Sequence, residues 1–88
     1  MALLQRRTDQ VFTAPVDDTA LVLNTETGLY HGLNPVASRI WDLLATPIEA
    51  DELVALLVAE FDVTPSVCGV ELDSFLAGLR ERGLLIAG

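Results

Sequence analysis

The stretch LNTETGLYHGLNP, residues 23–35, decides the fold. Its middle is a turn, because the segment TETG (25–28) separates two short apolar runs and glycine at its end suits the left-handed residue of a longer hairpin loop. Its last two residues begin a helix, since Asn34 can cap free N–H groups and Pro35 is tolerated at the first helical position. The stretch therefore predicts an antiparallel hairpin that leads directly into a helix.

Three strands are predicted around this turn. Residues 19–24 (TALVLN) form the strand before it, and residues 10–16 (QVFTAPV) form an earlier strand that Pro15 places at a sheet edge. The third strand is 29–33, in which alternation puts Leu29, His31 and Leu33 on one face and Tyr30 on the other. Gly32 lies within this strand, where glycine usually marks a bulge or the close approach of another backbone.

Three helices are predicted after the strands. The first ends before Pro47, and its apolar positions are Val36, Ile40, Trp41, Leu43 and Leu44. Residues 46–49 match a capping box for the second helix, which starts there or two or three residues later and runs to about Phe61. Its inward positions are Leu53, Leu56, Leu57 and Phe61. Thr64 and Pro65 repeat the cap signal for the third helix, and Gly83 fits its C-terminal cap. The apolar positions of the third helix are Cys68, Leu72, Phe75, Leu76 and Leu79.

This order predicts one α+β domain over residues 1–88, winged-helix-like, with a three-stranded antiparallel sheet followed by three helices. We expect residues 1–9 to be flexible. The longest apolar run, 53–59, is far shorter than the roughly 20 residues that cross a membrane, and the N-terminus lacks a signal peptide. A cytoplasmic location without membrane association is therefore expected.

Charge argues against nucleic acid as a partner. The chain carries thirteen Asp and Glu against five Lys and Arg, for a net charge of −8, whereas phosphate backbones attract basic surfaces. A winged-helix DNA-binding domain remains an alternative on architecture alone. Its recognition helix would need basic residues along one face, but the third helix offers only Arg80 and Arg82 at its end.

The residue types for catalysis are nearly absent. The chain has one histidine, His31, and one cysteine, Cys68, which falls on the apolar stripe of the third helix. A Cys–His enzyme would need both in one cleft with an orienting group, and a metal site needs clustered ligands. We therefore expect no catalytic residues, no metal site, no cofactor and no enzymatic activity.

An open sheet edge beside a long helix predicts a peptide-binding slot. The third strand carries neither Lys nor Pro, the usual devices that protect an edge, and its unpaired backbone groups can pair with an extended peptide. The third helix, the longest, would form the other wall. The candidate binding residues are Leu29, Tyr30, His31, Gly32, Leu33, Val70, Asp73, Leu76, Ala77 and Arg80.

The sequence also resembles a known family. The runs LVLNTETGLYHGLNPVASRIWDLL, ELVALLVAEFDV and FLAGLRERGLL, spread over residues 10–86, are similar to the PqqD-like recognition elements of ribosomally made, modified peptide (RiPP) pathways. The resemblance implies a fold of three strands and three helices that binds a precursor's leader peptide as an added strand between strand three and helix three.

The resemblance is strongest to the discrete leader-binding proteins of lasso-peptide biosynthesis, which implies a separate leader peptidase, or another modifying enzyme, as partner. The alternative is a PqqD-type peptide chaperone that serves a radical enzyme in pyrroloquinoline quinone biosynthesis.

Overall fold

The protein is an α+β domain in which a meander of strands precedes three helices. The computed structural model describes residues 3–17 and 19–87. Its elements are β1 (Leu4–Arg6), β2 (Val11–Val16), β3 (Thr19–Asn24), β4 (Leu29–Leu33), α1 (Pro35–Leu43), α2 (Ala50–Glu60), α3 (Pro65–Glu81) and β5 (Leu85–Ala87). Strands β2, β3 and β4 form an antiparallel sheet in that order. The predicted fold class, three-stranded sheet and three helices are confirmed.

Asn24 builds the hairpin turn between β3 and β4 and ties it to the end of α3. Its carbonyl accepts from the N–H of Gly28 at 2.8 Å, and its side-chain oxygen accepts from the N–H of Glu26 at 2.9 Å. Gly28 adopts the expected left-handed conformation, with φ +75°. The buried amide of Asn24 also donates to the carbonyl of Arg82 at 3.5 Å. The turn therefore holds β4 close to the C-terminal end of α3.

Helices α1 and α3 start as their cap residues predict. The side chain of Asn34 accepts from the N–H of Ala37 at 2.8 Å, and Pro35 is the first helical residue. Thr64 accepts from the N–H of Val67 at 3.4 Å in the same way, ahead of Pro65. Both helices therefore begin where a side-chain oxygen satisfies a free N–H group.

Helix α2 begins at Ala50, which is the later of the starts that the sequence left open. Its N-cap is Glu49, which makes no side-chain cap hydrogen bond, so Thr46 is not the cap. The reason is tertiary, since Ile48 forms an antiparallel bridge with Leu4, with N–H···O distances of 2.7 and 2.9 Å. The chain stays extended through Ile48 and becomes helical only at Ala50.

The core lies between the sheet and the helices. Trp41 is completely buried, its indole N–H donates to the hydroxyl of Thr13 at 2.8 Å, and the guanidinium of Arg6 lies 5.2 Å from its ring centroid. Leu56, predicted to face inward, is exposed because the buried stripe of α2 is centred on Leu53 and Leu57. The other fully buried large side chains are Leu44, Leu72, Leu84, Val22 and Asn24.

A second, two-stranded sheet corrects the expectation of a flexible N-terminus. Strand β1 pairs antiparallel with β5, and Leu4 lies in the core at 5% exposure. Residues 1 and 2 of the expected flexible segment lie outside the described residues. Neither three-residue strand shows a sequence periodicity, and about eighty residues separate the partners. No helix in the described ranges is long and apolar enough to span a membrane.

Candidate peptide-binding groove

Strand β4 is an edge of the main sheet, with β3 on one side and no strand on the other within the described ranges. One side of its backbone is therefore available for pairing. Its register with β3 is continuous from Leu29 to Leu33, so Gly32 does not form the bulge that its position suggested. A side chain at Gly32 would meet no atom within 4 Å, and the edge beside it is sterically open.

The two faces of β4 differ as predicted. His31 lies opposite Val22, and Leu33 lies opposite Ala20, on the side of the sheet that faces the core. Leu33 is buried and His31 is half-buried. Tyr30, on the other face, is 67% exposed. Leu29 is also exposed, since it lies at the hairpin end of the strand.

An open groove of about 440 Å³ runs between β4 and α3. Four of the predicted strand residues, Tyr30 to Leu33, form one wall. The helix side is formed by Phe75 and Leu79 of α3 and by its C-cap residue Arg82, which are spaced as i, i+4 and i+7 and so lie on one side of the helix. The remaining lining residues are Asn34, Ala37 and Leu84.

The predicted helix residues do not line this groove. Val70, Asp73, Ala77 and Arg80 are exposed. Ala77 lies about 200° around the helix from Phe75, on the side away from β4. Leu76 is buried in the core. The sequence pointed to α3 but to a different flank of its apolar stripe from the one that lines this groove, because either flank of an amphipathic helix can face a sheet. The spacing of Phe75, Leu79 and Arg82 is the sequence signal for the flank that lines the groove.

The groove continues between two helices. A second cavity of about 420 Å³ lies between α1 and α3, and it shares Asn34, Ala37 and Phe75 with the groove beside β4. Its other lining residues are Val36, Ile40, Glu71 and Ser74. A peptide that lies along β4 would therefore find a further, mostly apolar recess beyond Phe75.

Two basic side chains, His31 and Arg82, line the groove beside β4. Partial burial lowers the pKa of His31, and the nearby charge of Arg82 lowers it further, so the imidazole is neutral at neutral pH. Arg82 is the cation that lines this groove. In the described part of the chain its guanidinium has no carboxylate within 4 Å, whereas Arg7 pairs with Asp9 and Glu26 and Arg39 pairs with Glu60.

Cys68 is a poor candidate for a nucleophile. It is buried on α3 and does not line the groove. Burial raises the pKa of its thiol, and Glu71 raises it further, so the reactive thiolate is disfavoured. The described residues contain no group of three His, Cys, Asp or Glu side chains that could hold a metal ion. What the groove offers is backbone pairing, apolar walls and one cation.

Comparisons with known proteins agree on one family. The family model of coenzyme PQQ synthesis protein D (PqqD) matches residues 19–85. The structure of TbiB1 in complex with the TbiA(beta) leader peptide is 37% identical, with a TM-score of 0.82 over 89% of this chain and 91% of that chain.

The lasso peptide synthetase B1 complexed with the leader peptide has the same fold, with a TM-score of 0.82 and 20% identity over 94% of this chain and 96% of that one. No curated protein sequence matches this chain.

Proposed function

The chain belongs to the PqqD family, and from this premise we propose that it binds the leader segment of a ribosomally made precursor peptide and presents it to a processing enzyme. The observation that carries the proposal is the groove between the open edge of β4 and α3. TbiB1, 37% identical over nearly the whole chain, is a protein whose structure contains a leader peptide.

Binding proceeds by strand addition. The leader pairs its backbone with β4 and extends the main sheet to four strands, which supplies affinity with little dependence on sequence. Alternate side chains of the added strand enter the groove, where Leu33, Phe75 and Leu79 offer apolar contacts. The recess beyond Phe75 accepts a further side chain. The sequence of the leader is therefore read by side-chain pockets and not by the strand itself.

Presentation requires no chemical group from this chain. A leader held on β4 raises the effective concentration of the attached core peptide near a partner enzyme. We propose a lasso-peptide leader peptidase as that enzyme, and no catalysis, cofactor or nucleic acid for this protein. A second candidate, the peptide chaperone of pyrroloquinoline quinone biosynthesis, is favoured by the description of the matching family model.

Peptide titration followed by amide chemical shifts tests the binding site. With the TbiA(beta) leader peptide as probe, shifts are expected at residues 29–33, at Phe75 and Leu79 of α3, and at its C-cap residue Arg82. Shifts concentrated on residues 48–60 would contradict the site. If the protein bound neither this probe nor the precursor peptide encoded beside its own gene, the proposed function would be contradicted.

A matched pair of tryptophan substitutions tests the groove. Ala37→Trp fills the space shared by the groove and the recess beyond Phe75, and we expect it to weaken binding of the leader about tenfold or more. Ala77→Trp introduces the same side chain on the exposed flank of α3 and should leave affinity unchanged. Circular dichroism confirms that each variant is folded. Equal affinities of the two variants would place the peptide elsewhere.

Reconstitution tests presentation. Cleavage of the precursor by its peptidase should depend on adding this protein, and Cys68→Ser should preserve that dependence. Cleavage by this protein alone, or cleavage at full rate without it, would contradict the presentation role. Restored maturation by a radical enzyme in place of a peptidase would favour the second candidate.

A further inference from the structure

Arg82 occupies an unusual position for a cation in this molecule. The chain has a net charge of −8, yet Arg82 lines the groove and lacks a carboxylate partner within the described ranges. A guanidinium with free donors at the side of a binding groove is suited to a planar anion, which it can bind through two parallel hydrogen bonds.

We infer that Arg82 is the specificity-determining residue of the groove and that it selects peptides with an Asp or Glu side chain at the position that passes it. This inference rests on the proposed function, since it concerns which leader segments the groove accepts. The ligand class is an extended peptide with one carboxylate at a fixed position.

Two features hold Arg82 in place before a peptide arrives. Its backbone carbonyl accepts from the buried amide of Asn24 at 3.5 Å, which ties the residue to the hairpin that precedes β4. Its side chain lies back along α3 over Gly78, where an added Cβ would be 2.9 Å from Nη1. The absence of a side chain at Gly78 therefore leaves the space that the guanidinium occupies beside the groove.

The groove also has a charge of opposite sign at its far end. Glu71 lines the recess between α1 and α3, eleven residues before Arg82, which corresponds to about 16 Å along a helix. The guanidinium of Arg82 reaches back to Gly78, which shortens the separation to about 10 Å. An extended strand covers this span in roughly three to five residues. The arrangement of Arg82, Phe75 and Glu71 thus favours a peptide with an acidic residue at the Arg82 end, an apolar residue between, and an uncharged or basic residue at the Glu71 end.

Selection from a displayed library of random 12-residue peptides tests this inference with the full chain. Wild-type protein should enrich peptides with Asp or Glu at one fixed position and an apolar residue within about five residues of it, always on the same side. Arg82→Gln should lose the acidic preference, and an individual acidic peptide should bind it roughly tenfold more weakly. Arg82→Glu should enrich Lys or Arg at the same position.

The matched control is Arg80→Gln, which removes an exposed arginine two residues away on the flank that does not line the groove. The Arg80→Gln variant should retain the full preference for acidic peptides, and Arg82→Lys should retain a weaker one. Enrichment of peptides without any acidic preference, or an acidic preference that survives in Arg82→Gln, would overturn the inference and leave leader binding intact. If none of the enriched peptides changed the amide chemical shifts of β4, that result would instead count against the proposed function.

Discussion

At the residue scale, His31 reports on the groove. It is the single histidine of the chain, it faces the core side of the sheet opposite Val22, and it lies near enough to Arg82 for that charge to affect its pKa. Both burial and the arginine favour the neutral imidazole. The NMR signals of its imidazole can therefore be followed without overlap from other histidines. The pKa of His31 responds to a change of charge at Arg82.

We predict that the pKa of His31 lies below its ordinary value of 6.5 and rises toward it in Arg82→Gln, measured by NMR from the imidazole C–H signals. Because the unfolded chain binds this proton more readily than the folded one, the free energy of unfolding should fall as the pH drops below about 6.5. The loss ends once the pH is below the folded-state pKa.

Urea unfolding at pH 7.5 and 5.5 checks the linkage, with His31→Gln as the variant that should lose the dependence in this window. The carboxyl of Asp9, whose pKa is lowered from 3.8 chiefly by its hydrogen bond with Arg7, titrates below this window and does not interfere. An NMR pKa at or above 6.5 would contradict the burial and the neighbouring charge of His31.

At the element scale, α3 carries the groove on one side and the core on another. Its core stripe contains Leu72, Leu76 and Leu79, and its groove face contains Phe75 and is extended by the C-cap residue Arg82. The helix also contains two glycines, which normally cost stability in a helix interior. Gly69 has open space around it, whereas Gly78 lies beneath the guanidinium of Arg82. The two glycines therefore have different roles.

We predict that Gly69→Ala raises the free energy of unfolding by about 0.5–1 kcal/mol without changing peptide affinity, since alanine favours the helix and meets no neighbour. Gly78→Ala should also favour the helix, but its Cβ displaces the arginine side chain and should weaken binding of acidic peptides. Urea unfolding and fluorescence anisotropy with an acidic peptide measure the two effects. If the two variants bound the acidic peptide with the same affinity, Arg82 would bind peptide independently of the residue at position 78.

At the scale of the whole molecule, β1 joins parts of the chain that are distant in sequence. Leu4 forms a β-bridge with Ile48. The N–H of Arg6 donates to the carbonyl of Leu44 at 2.9 Å, and the N–H of Arg7 donates to the carbonyl of Leu84 at 2.8 Å. The strand thus connects the linker between α1 and α2 to the segment after α3. Since that segment follows Arg82 directly, β1 also supports the end of the groove.

We predict that Leu4→Ala lowers the free energy of unfolding by about 2–4 kcal/mol, the usual cost of emptying a buried leucine site. Leu3→Ala is the matched control, since Leu3 is 43% exposed while Leu4 is 5% exposed, and it should change stability by less than about 0.5 kcal/mol. Urea unfolding monitored by the fluorescence of Trp41 measures both. Equal, small effects would mean that β1 is dispensable for the fold.

Local chemistry in the sequence determined the order of the main elements. Asn24 and Gly28 form the turn, and Asn34 and Thr64 cap their helices, because each acts on backbone groups within a few residues. Period-2 alternation likewise placed His31 and Leu33 on the core face of β4. The open edge of β4, and hence the strand half of the candidate site, followed from these same signals.

Long-range packing decided the rest. Strands β1 and β5 are too short to show a period, and they exist because each supplies the other's backbone partner from the opposite end of the chain. The extended backbone at Ile48, paired with Leu4, delays α2 past its apparent capping box. The apolar stripe of α3 leaves two flanks equivalent in sequence, and only its docking beside β4 places Phe75 and Arg82 in the groove and Ala77 and Arg80 outside it. A helix period fixes which residues share a face, but the neighbour that this face meets is a property of the assembled fold.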